Sequence, residues 1–204
     1  MPLNVEPYYM TTFSTARPAA ILVACGLLCA APVQAQSTAD MHRAAKFLSH
    51  EGNVLYLSAG VLLPLAQDGH KGRDYTLRAA DALGTATLFS EGLKAIVREK
   101  RPDTDERNSF PSGHATAAFA VATMQFAFHH NEAPYWYAGA ALIGASRVGL
   151  HRHYIHDVLA GAALGYATAR WELSRPRGLL LSPFIRTNSR PQDMTRGITF
   201  GTRF

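Results

Sequence analysis

A histidine and an aspartate in the last third of the chain could form a nucleophilic pair. His153 and Asp157 are four positions apart, a spacing that brings two side chains to one face of a helix. A carboxylate there can accept a hydrogen bond from one ring nitrogen of the imidazole, which fixes the tautomer and leaves the other nitrogen free to attack. Arg147 precedes a break at Gly149, so the chain can fold back and place a cation beside His153.

Metal binding is a second interpretation of the same stretch, because His151, His153, His156 and Asp157 crowd together. In one continuous helix the side chains of His151 and His153 would point about 160° apart, so they would not hold one ion. The sequence therefore predicts no metal site here.

A short motif, Ser112-Gly113-His114, stands directly before an apolar helix. Ser112 is a suitable N-cap residue, and Gly113 allows another group to approach the backbone closely. The free N–H groups and the dipole of a helix start bind anions, and His114 in the first turn could face such an anion. The plainer alternative is a capped helix with an exposed histidine.

Two cations precede this motif. Lys94 and Arg101 are seven residues apart, which is about two helical turns and predicts that both lie on one face of a helix. Cations late in a helix also simply complement its dipole, so this pair alone is a weak signal.

Together the three clusters resemble the signature of the type 2 phosphatidic acid phosphatase family, which includes bacterial acid phosphatases, lipid phosphate phosphatases and, more distantly, vanadium haloperoxidases. The resemblance covers roughly residues 75–171. The sequence departs from the expected pattern at His151 and His156, next to the nucleophile, where we would expect apolar or small residues. The matching residues are Lys94, Arg101, Pro102, Pro111, Ser112, Gly113, His114, Ser146, Arg147, His153 and Asp157.

The resemblance implies a pocket for a phosphate monoester. Lys94, Arg101 and Arg147 would match the phosphoryl oxygens and stabilise the charge that spreads over them in the transition state. The Ser112 side chain and the Gly113 N–H would add hydrogen bonds.

The resemblance also implies the chemistry. His153 would attack phosphorus to give a phosphohistidine, and Asp157 would hold its ring. His114 would protonate the leaving oxygen and then activate water. The cations would supply the electrostatics, so neither a metal nor a cofactor is expected.

Several alternatives remain open at this point. The substrate could be a soluble ester or a lipid phosphate, and a membrane-associated lipid phosphate or pyrophosphate phosphatase is the nearest alternative enzyme. A haloperoxidase on the same scaffold and a non-catalytic phosphate- or lipid-binding module are more remote. Nucleic acid is the least suitable partner, because the basic residues gather at a pocket rather than in a stripe.

Secondary-structure elements must position these residues. The sequence predicts an all-α, compact helical bundle with a short C-terminal β-hairpin. The apolar runs are shorter than the roughly 20 residues that span a bilayer, which favours a soluble bundle over a membrane-embedded one. Alternating residues at the C-terminal end predict hairpin strands over 179–185 and 197–204. Helices are predicted over 40–50, 53–67, 75–100, 115–128, 135–148 and 155–171.

The N-terminal 35 residues resemble a secretory signal. Arg17 is followed by an apolar run over 19–31, Pro32 ends the run, and small residues then favour cleavage after Ala35. A lipoprotein cleavage box over 22–25 is a weaker alternative. We therefore expect a signal peptide over 1–35, a phosphatase domain over 36–178, a C-terminal tail over 179–204 and a periplasmic location.

Composition sets outer limits on these interpretations. The 204-residue chain is 48% hydrophobic and 17% charged, which excludes a disordered protein. Its two cysteines, Cys25 and Cys29, both lie in the leader, which excludes a disulfide framework. The net charge of +5 suits an anionic substrate and allows peripheral contact with anionic lipid. The sequence carries no signal for an oligomeric state.

Overall fold

The computed structural model describes residues 38–176 and 178–180, and this part of the chain confirms the predicted helical architecture. The predicted signal peptide lies outside the described residues, and so does the predicted hairpin apart from its first two positions. Single 3-10 turns, Gly69–Lys71 and His130–Glu132, precede two of the helices. The helices are α1 (Thr38–Ser49), α2 (Glu51–Gln67), α3 (Gly72–Val97), α4 (Gly113–Phe128), α5 (Ala133–Gly149) and α6 (Ile155–Ser174).

Helix α4 is the centre of the bundle and packs against α2, α3, α5 and α6. Its alanine-rich sequence is buried along most of its length, because small side chains let neighbouring helices approach from several directions. The backbone of α4 lies close to that of α6 at two glycines. A Cβ atom at Gly165 would lie 2.2 Å from the Thr116 carbonyl oxygen, and one at Gly161 would lie 2.6 Å from that of Ser112. Glycine at these two positions therefore holds the start of α6 against the start of α4.

An aromatic pair joins α2 to α5. The rings of Tyr56 and Trp136 meet edge to face at 5.2 Å, and the Tyr56 hydroxyl donates a hydrogen bond to the Trp136 carbonyl at 2.7 Å. Both side chains are buried, and burial of such a side chain contributes about 2–3 kcal/mol. The pair holds the first half of α2 against the first turn of α5.

One predicted helix boundary and one predicted placement need correction, and both affect the site. Helix α3 ends at Val97 rather than at 100, because Arg98 adopts a left-handed conformation (φ 51°) and its N–H closes the helix on the Lys94 carbonyl. Helix α6 begins at Ile155 as predicted. His153 therefore lies before the helix, and the expectation that His153 and Asp157 share one helical face is wrong. The other boundaries differ from prediction by up to three residues.

The chain that follows α6 is tied back to α3 by buried carboxyl groups. Asp81 accepts hydrogen bonds from the N–H groups of Leu179 at 2.7 Å and Leu180 at 2.8 Å. Arg78 donates to Glu172 Oε1 at 3.2 Å. Burial, followed by the charge of Asp81, raises the pKa of Glu172 from 4.5 to about 7.

Among residues 38–176 and 178–180, no helix combines the length and the apolar composition that crossing a bilayer takes.

Candidate active site

His153 and Asp157 meet at the start of α6. His153 Nδ1 lies 3.5 Å from Asp157 Oδ2, and both side chains are almost completely buried. The predicted pairing is confirmed, but its predicted cause is wrong, because the two residues do not share a helical face. Tyr154 is the N-cap of α6 and donates its backbone N–H to Asp157 Oδ2 at 2.9 Å. A capping turn, not a helical repeat, brings the imidazole to the carboxylate.

Asp157 is further fixed by two serines that precede α4. Ser109 Oγ donates to Asp157 Oδ2 at 2.5 Å and lies 3.5 Å from His153 Nδ1. The backbone N–H of Ser112 donates to the Asp157 carbonyl at 3.0 Å. The carboxylate is therefore held from α6 and from the loop before α4, and its position in turn fixes the ring of His153.

The imidazole of His153 is kept neutral by its surroundings. Burial, then the positive charges of Arg147 and Arg101, lower the pKa of His153 to about 4, against a smaller opposing effect of Asp157. A neutral ring has a free lone pair near neutral pH, which a nucleophile needs.

Arg147, near the C-terminal end of α5, is buried beside this pair. Its Nη1 donates to the hydroxyl of Ser49, the last residue of α1. Burial, then the charges of Arg101 and Arg152, lower the pKa of Arg147 to about 10. The guanidinium therefore stays charged at neutral pH. The carbonyl of Arg147 accepts the N–H of His153 at 3.3 Å, which confirms that the chain folds back after α5.

Arg101 reaches the site from a loop. Its backbone N–H donates to the Glu106 carbonyl at 3.0 Å, and its Nη1 lies 3.3 Å from Glu106 Oε2. The prediction that Lys94 and Arg101 share a helix face is therefore wrong, because the left-handed turn at Arg98 ends α3 between them. Arg101 nevertheless acts electrostatically on both His153 and Arg147.

Lys94 lies against the start of α4. Its Nζ is 2.6 Å from Glu91 Oε1, and it lies 3.0 Å from where a Cβ atom at Gly113 would stand. A side chain at position 113 would therefore push against the ammonium group. This is the close approach that the sequence predicted for Gly113.

His114 occupies the first turn of α4 and is half-buried. Burial, then the charges of Arg147, His153 and Lys94, lower the pKa of His114 to about 4, while a hydrogen bond to the Ser49 backbone opposes this shift. The two histidines and the cations therefore share one electrostatic environment.

Several buried donors at this site have no protein acceptor. Among the described residues, Ser112 Oγ, Arg101 Nε and Arg147 Nε are buried and make no hydrogen bond. Ser112 is at the N-cap of α4 as predicted, but its side chain makes no capping bond. Its hydroxyl and the two guanidinium nitrogens are therefore available to an anion, which is the ligand that a helix N-terminus and a cationic cluster favour.

Three residues at the site escaped the sequence analysis. Ser49 and Ser109 contact Arg147 and Asp157, and the Glu99 carbonyl accepts the N–H of Ser109 at 3.0 Å. None of them is among the predicted site residues. Ser109 lies 44 residues from His153 and Ser49 lies 98 residues from Arg147, so these contacts left no local signal.

An open cavity of about 640 Å³ adjoins the site. Its lining includes His114 and Ser49 and, from α2, Val54 and Leu55. The latter two side chains are 62% and 57% exposed. The cavity therefore connects a site residue to an exposed apolar surface.

One group of side chains could hold a metal ion. Ligand atoms of Glu99, His156 and Asp157 all lie within 4.8 Å of one another. The set that the sequence analysis considered and rejected shares only part of this group, and His151 lies elsewhere, in a left-handed turn before α6.

Two relatives of known name are similar to this chain in sequence. The chain is 37% identical over 106 residues to lipid A 1-phosphatase of Porphyromonas gingivalis, which covers 48% of this chain and 24% of that protein. It is 37% identical over 98 residues to phosphatidylglycerophosphatase B of Bacillus subtilis, which covers 40% of this chain and 48% of that protein. The chain thus spans less than half the length of either relative.

A solved structure and a family model complete the comparison. The crystal structure of a transmembrane PAP2 type phosphatidylglycerolphosphate phosphatase from Bacillus subtilis aligns with a TM-score of 0.48 at 21% identity, covering 76% of this chain and 84% of that chain. The model of the PAP2 superfamily matches residues 75–177. That range is about half of the chain and holds every position of the three sequence clusters, from Lys94 to Asp157. The chain belongs to the PAP2 superfamily.

Proposed function

We propose that the chain is an exported phosphatase that hydrolyses phosphate monoesters through a phosphohistidine intermediate at His153, with no metal in the reaction. The observation that carries the proposal is the position of the neutral His153 ring, 3.5 Å from the Asp157 carboxylate and within the field of Arg101 and Arg147.

Substrate binding uses the buried donors. The phosphoryl oxygens accept hydrogen bonds from Arg101, Arg147 and Ser112, and from the backbone N–H of Gly113 at the start of α4. Lys94 adds a third cation. These fixed charges act in a partly buried site, where they stabilise the transition state without reorganisation of solvent.

The first chemical step forms a P–N bond and breaks the P–O ester bond. The free nitrogen of His153 attacks phosphorus, and the electron pair of the broken bond goes to the leaving oxygen. His114 protonates that oxygen. Asp157 stabilises the positive charge that the phosphorylated ring acquires. A bound phosphate dianion offsets the surrounding cations, and this raises the pKa of His114 so that it can carry the proton it delivers.

The second step restores the enzyme. His114, now neutral, takes a proton from a water molecule, which attacks phosphorus and breaks the P–N bond. Inorganic phosphate leaves and His153 is again neutral. The same residue acts as acid and then as base, as microscopic reversibility requires.

A lipid phosphate is the substrate class that one observation favours over a soluble ester. The cavity beside His114 is also lined by Val54 and Leu55, two exposed apolar side chains that could accept an acyl chain. The names of both relatives refer to lipid phosphates. Export through residues 1–35 and contact with a membrane surface would bring the site to such a lipid.

Release of phosphate from a panel of soluble and lipid phosphate esters tests the proposal, with the full chain as the enzyme. We expect turnover that survives EDTA and is blocked by vanadate, which can bind as a trigonal-bipyramidal analogue of the transition state. Higher kcat/KM for lipid esters would support the lipid class, whereas a preference for soluble esters would contradict it. No turnover of any ester would favour a non-catalytic phosphate- or lipid-binding module, and halide oxidation in the presence of vanadate would favour a haloperoxidase.

A further inference from the structure

We propose that Glu99, His156 and Asp157 form a binding site for a divalent transition-metal ion such as zinc, and that an ion bound there slows the phosphatase reaction. The inhibitory effect rests on the proposed function, whereas metal binding at this site does not. Imidazole nitrogen and carboxylate oxygen are the ligands that zinc takes in proteins, and three protein ligands with an open fourth position are common.

Two of the three distances between the ligand atoms are close to those around a small tetrahedral ion. His156 Nε2 lies 2.8 Å from Glu99 Oε1 and 3.2 Å from Asp157 Oδ1. Ligands bound to zinc at about 2.0–2.1 Å stand roughly 3.3–3.4 Å apart. The His156–Glu99 pair would have to open by about half an ångström and the His156–Asp157 pair by less. The ligand atoms of Glu99 and Asp157 lie within 4.8 Å of each other, so rotation of the Glu99 side chain completes the adjustment.

The hydrogen-bond pattern supplies an independent reason for a cation. Nε2 carries one proton at most, and it donates this proton to Glu99. Asp157 Oδ1 is buried and accepts no hydrogen bond from the described residues, although Asp157 Oδ2 accepts two. An ion in place of the Nε2 proton contacts all three ligand atoms at once. The ring then carries its proton on Nδ1.

The ligands are held in place before an ion binds. The imidazole of His156 stacks on Tyr154 at 5.4 Å, with Phe110 at 6.2 Å. Asp157 is fixed at the capping turn of α6, and the carbonyl of Glu99 is bonded to the loop before α4. The His156 side chain is 58% exposed, so an ion can enter from solvent and water can complete its shell.

An ion at this position acts on the nucleophile through one carboxylate. Asp157 Oδ2 supports the ring of His153, and an ion on Oδ1 draws negative charge away from that support. The phosphohistidine carries a positive charge that the carboxylate must offset, so its formation slows when the ion is bound.

Binding is measured first, without reference to activity. The full chain is stripped with EDTA, dialysed and titrated with Co²⁺, whose visible absorption is intense in four-coordinate nitrogen and oxygen sites, and then with Zn²⁺ by calorimetry. We expect one equivalent per chain. His156→Gln keeps a hydrogen-bond donor to Glu99 but removes the imidazole, and it should weaken binding by more than the roughly 10- to 100-fold that loss of an outer partner causes.

His151→Asn is the matched control. It removes an exposed imidazole five residues away, and asparagine tolerates the left-handed conformation of position 151 (φ 55°). This variant should bind the ion as the unchanged chain does. Absence of saturable binding at millimolar zinc, or equal affinity in the chain and in His156→Gln, would overturn the proposed site.

Activity provides the second readout. Zinc at the concentration that fills the site should lower the kcat of the unchanged chain and of His151→Asn, and EDTA should restore it. The kcat of His156→Gln should not fall when zinc is added. Each rate is compared with that of the same variant without metal. Binding without any loss of kcat would overturn the inhibitory part of the proposal. A chain that is inactive without metal on every ester would count against the proposed function, while the binding experiment would still decide the site.

Discussion

Asp157 Oδ2 lies 3.5 Å from His153 Nδ1 although the two residues do not share a helix. The contact depends on a capping turn in which Tyr154 donates its backbone N–H to the same carboxylate oxygen. The geometry of the pair is therefore set by how α6 begins. The start of α6 is set in turn by its contact with α4 at Gly161 and by the bond from the Ser112 N–H to the Asp157 carbonyl.

Ser109 should be a positioning residue for this pair. In Ser109→Ala, Asp157 loses the hydrogen bond at 2.5 Å, and His153 gains freedom to rotate. Hydrogen bonds to charged groups contribute about 1.5–3 kcal/mol, so we expect kcat to fall by at least about tenfold. KM should change little, because Ser109 has no direct role in holding phosphate. Steady-state kinetics check this, and a change confined to KM would contradict the assignment.

The pH dependence should report His114. Its pKa of about 4 in the free protein means that the protonated form, which the first step needs, is lost as the pH rises above about 4. We expect kcat/KM to fall over that range, and kcat to fall only at higher pH, because bound phosphate raises the pKa of His114. His114→Asn should lower the rate and remove this limb from the profile of kcat. An unchanged limb in that variant would show that another group is the acid.

The sequence predicted the helices and the meeting of the three clusters, but it did not predict how two of them are built. The prediction for Lys94 and Arg101 assumed that the helix continues to Lys100, whereas a left-handed residue at Arg98 ends it. Arginine has no strong preference for that conformation, so the end of α3 left no local signal. Ser49 and Ser109 could not be predicted either, because their contacts depend on packing between distant elements.

One expectation about Gly113 agrees with the structure. The sequence indicated that Gly113 allows another group to approach the backbone closely, and Lys94 Nζ lies 3.0 Å from where a Cβ atom at this position would stand. The burial of His153 and Arg147 was not readable from the sequence, and burial is the largest cause of the low pKa of both groups.

Stability should depend on pH through Glu172. The pKa of its carboxyl is about 7 in the folded chain against an ordinary value of 4.5, so the folded state binds the proton more tightly than the unfolded state does. The contribution of Glu172 to the free energy of unfolding is fully present below about pH 4.5 and is lost as the pH rises through about 7. Above that range a buried carboxylate stands near Asp81.

Glu172→Gln mimics the protonated carboxyl and should remove this dependence. Its amide can still accept from Arg78 and can donate toward Asp81. We expect the variant to have a higher Tm than the unchanged chain at pH 8 and a similar Tm at pH 4.5. Glu51→Gln, which removes an exposed carboxylate from the first turn of α2, is the control. Thermal unfolding at pH 4.5 and pH 8 gives the Tm of each variant. If Glu172→Gln and Glu51→Gln changed the Tm alike at both pH values, the assignment to Glu172 would be wrong.

Export is tested by fractionation of cells that make the full chain. We expect the recovered protein to begin near Gln36, because the small residues up to Ala35 favour cleavage there. Osmotic shock should release it, or a high-salt wash should detach it from membranes, because contact between a basic protein and anionic lipid is screened by salt. Mass spectrometry gives the N-terminus, and protein that retains residues 1–35 and needs detergent for release would contradict the expectation.

The central claim is that His153 carries the phosphoryl group. A rapid mix of the chain with a phosphate ester, quenched in alkali because phosphohistidine is labile in acid, followed by digestion and mass spectrometry, tests it most directly. The account predicts one phosphate on His153. With an ester whose leaving group departs without an acid, such as p-nitrophenyl phosphate, it should accumulate in His114→Asn, because only hydrolysis of the intermediate then needs His114. It should be absent in His153→Ala, whose kcat should fall by at least about 10⁴-fold without loss of the helical fold. Phosphate on another residue, or turnover by a folded His153→Ala above a few per cent of the original rate, would contradict it.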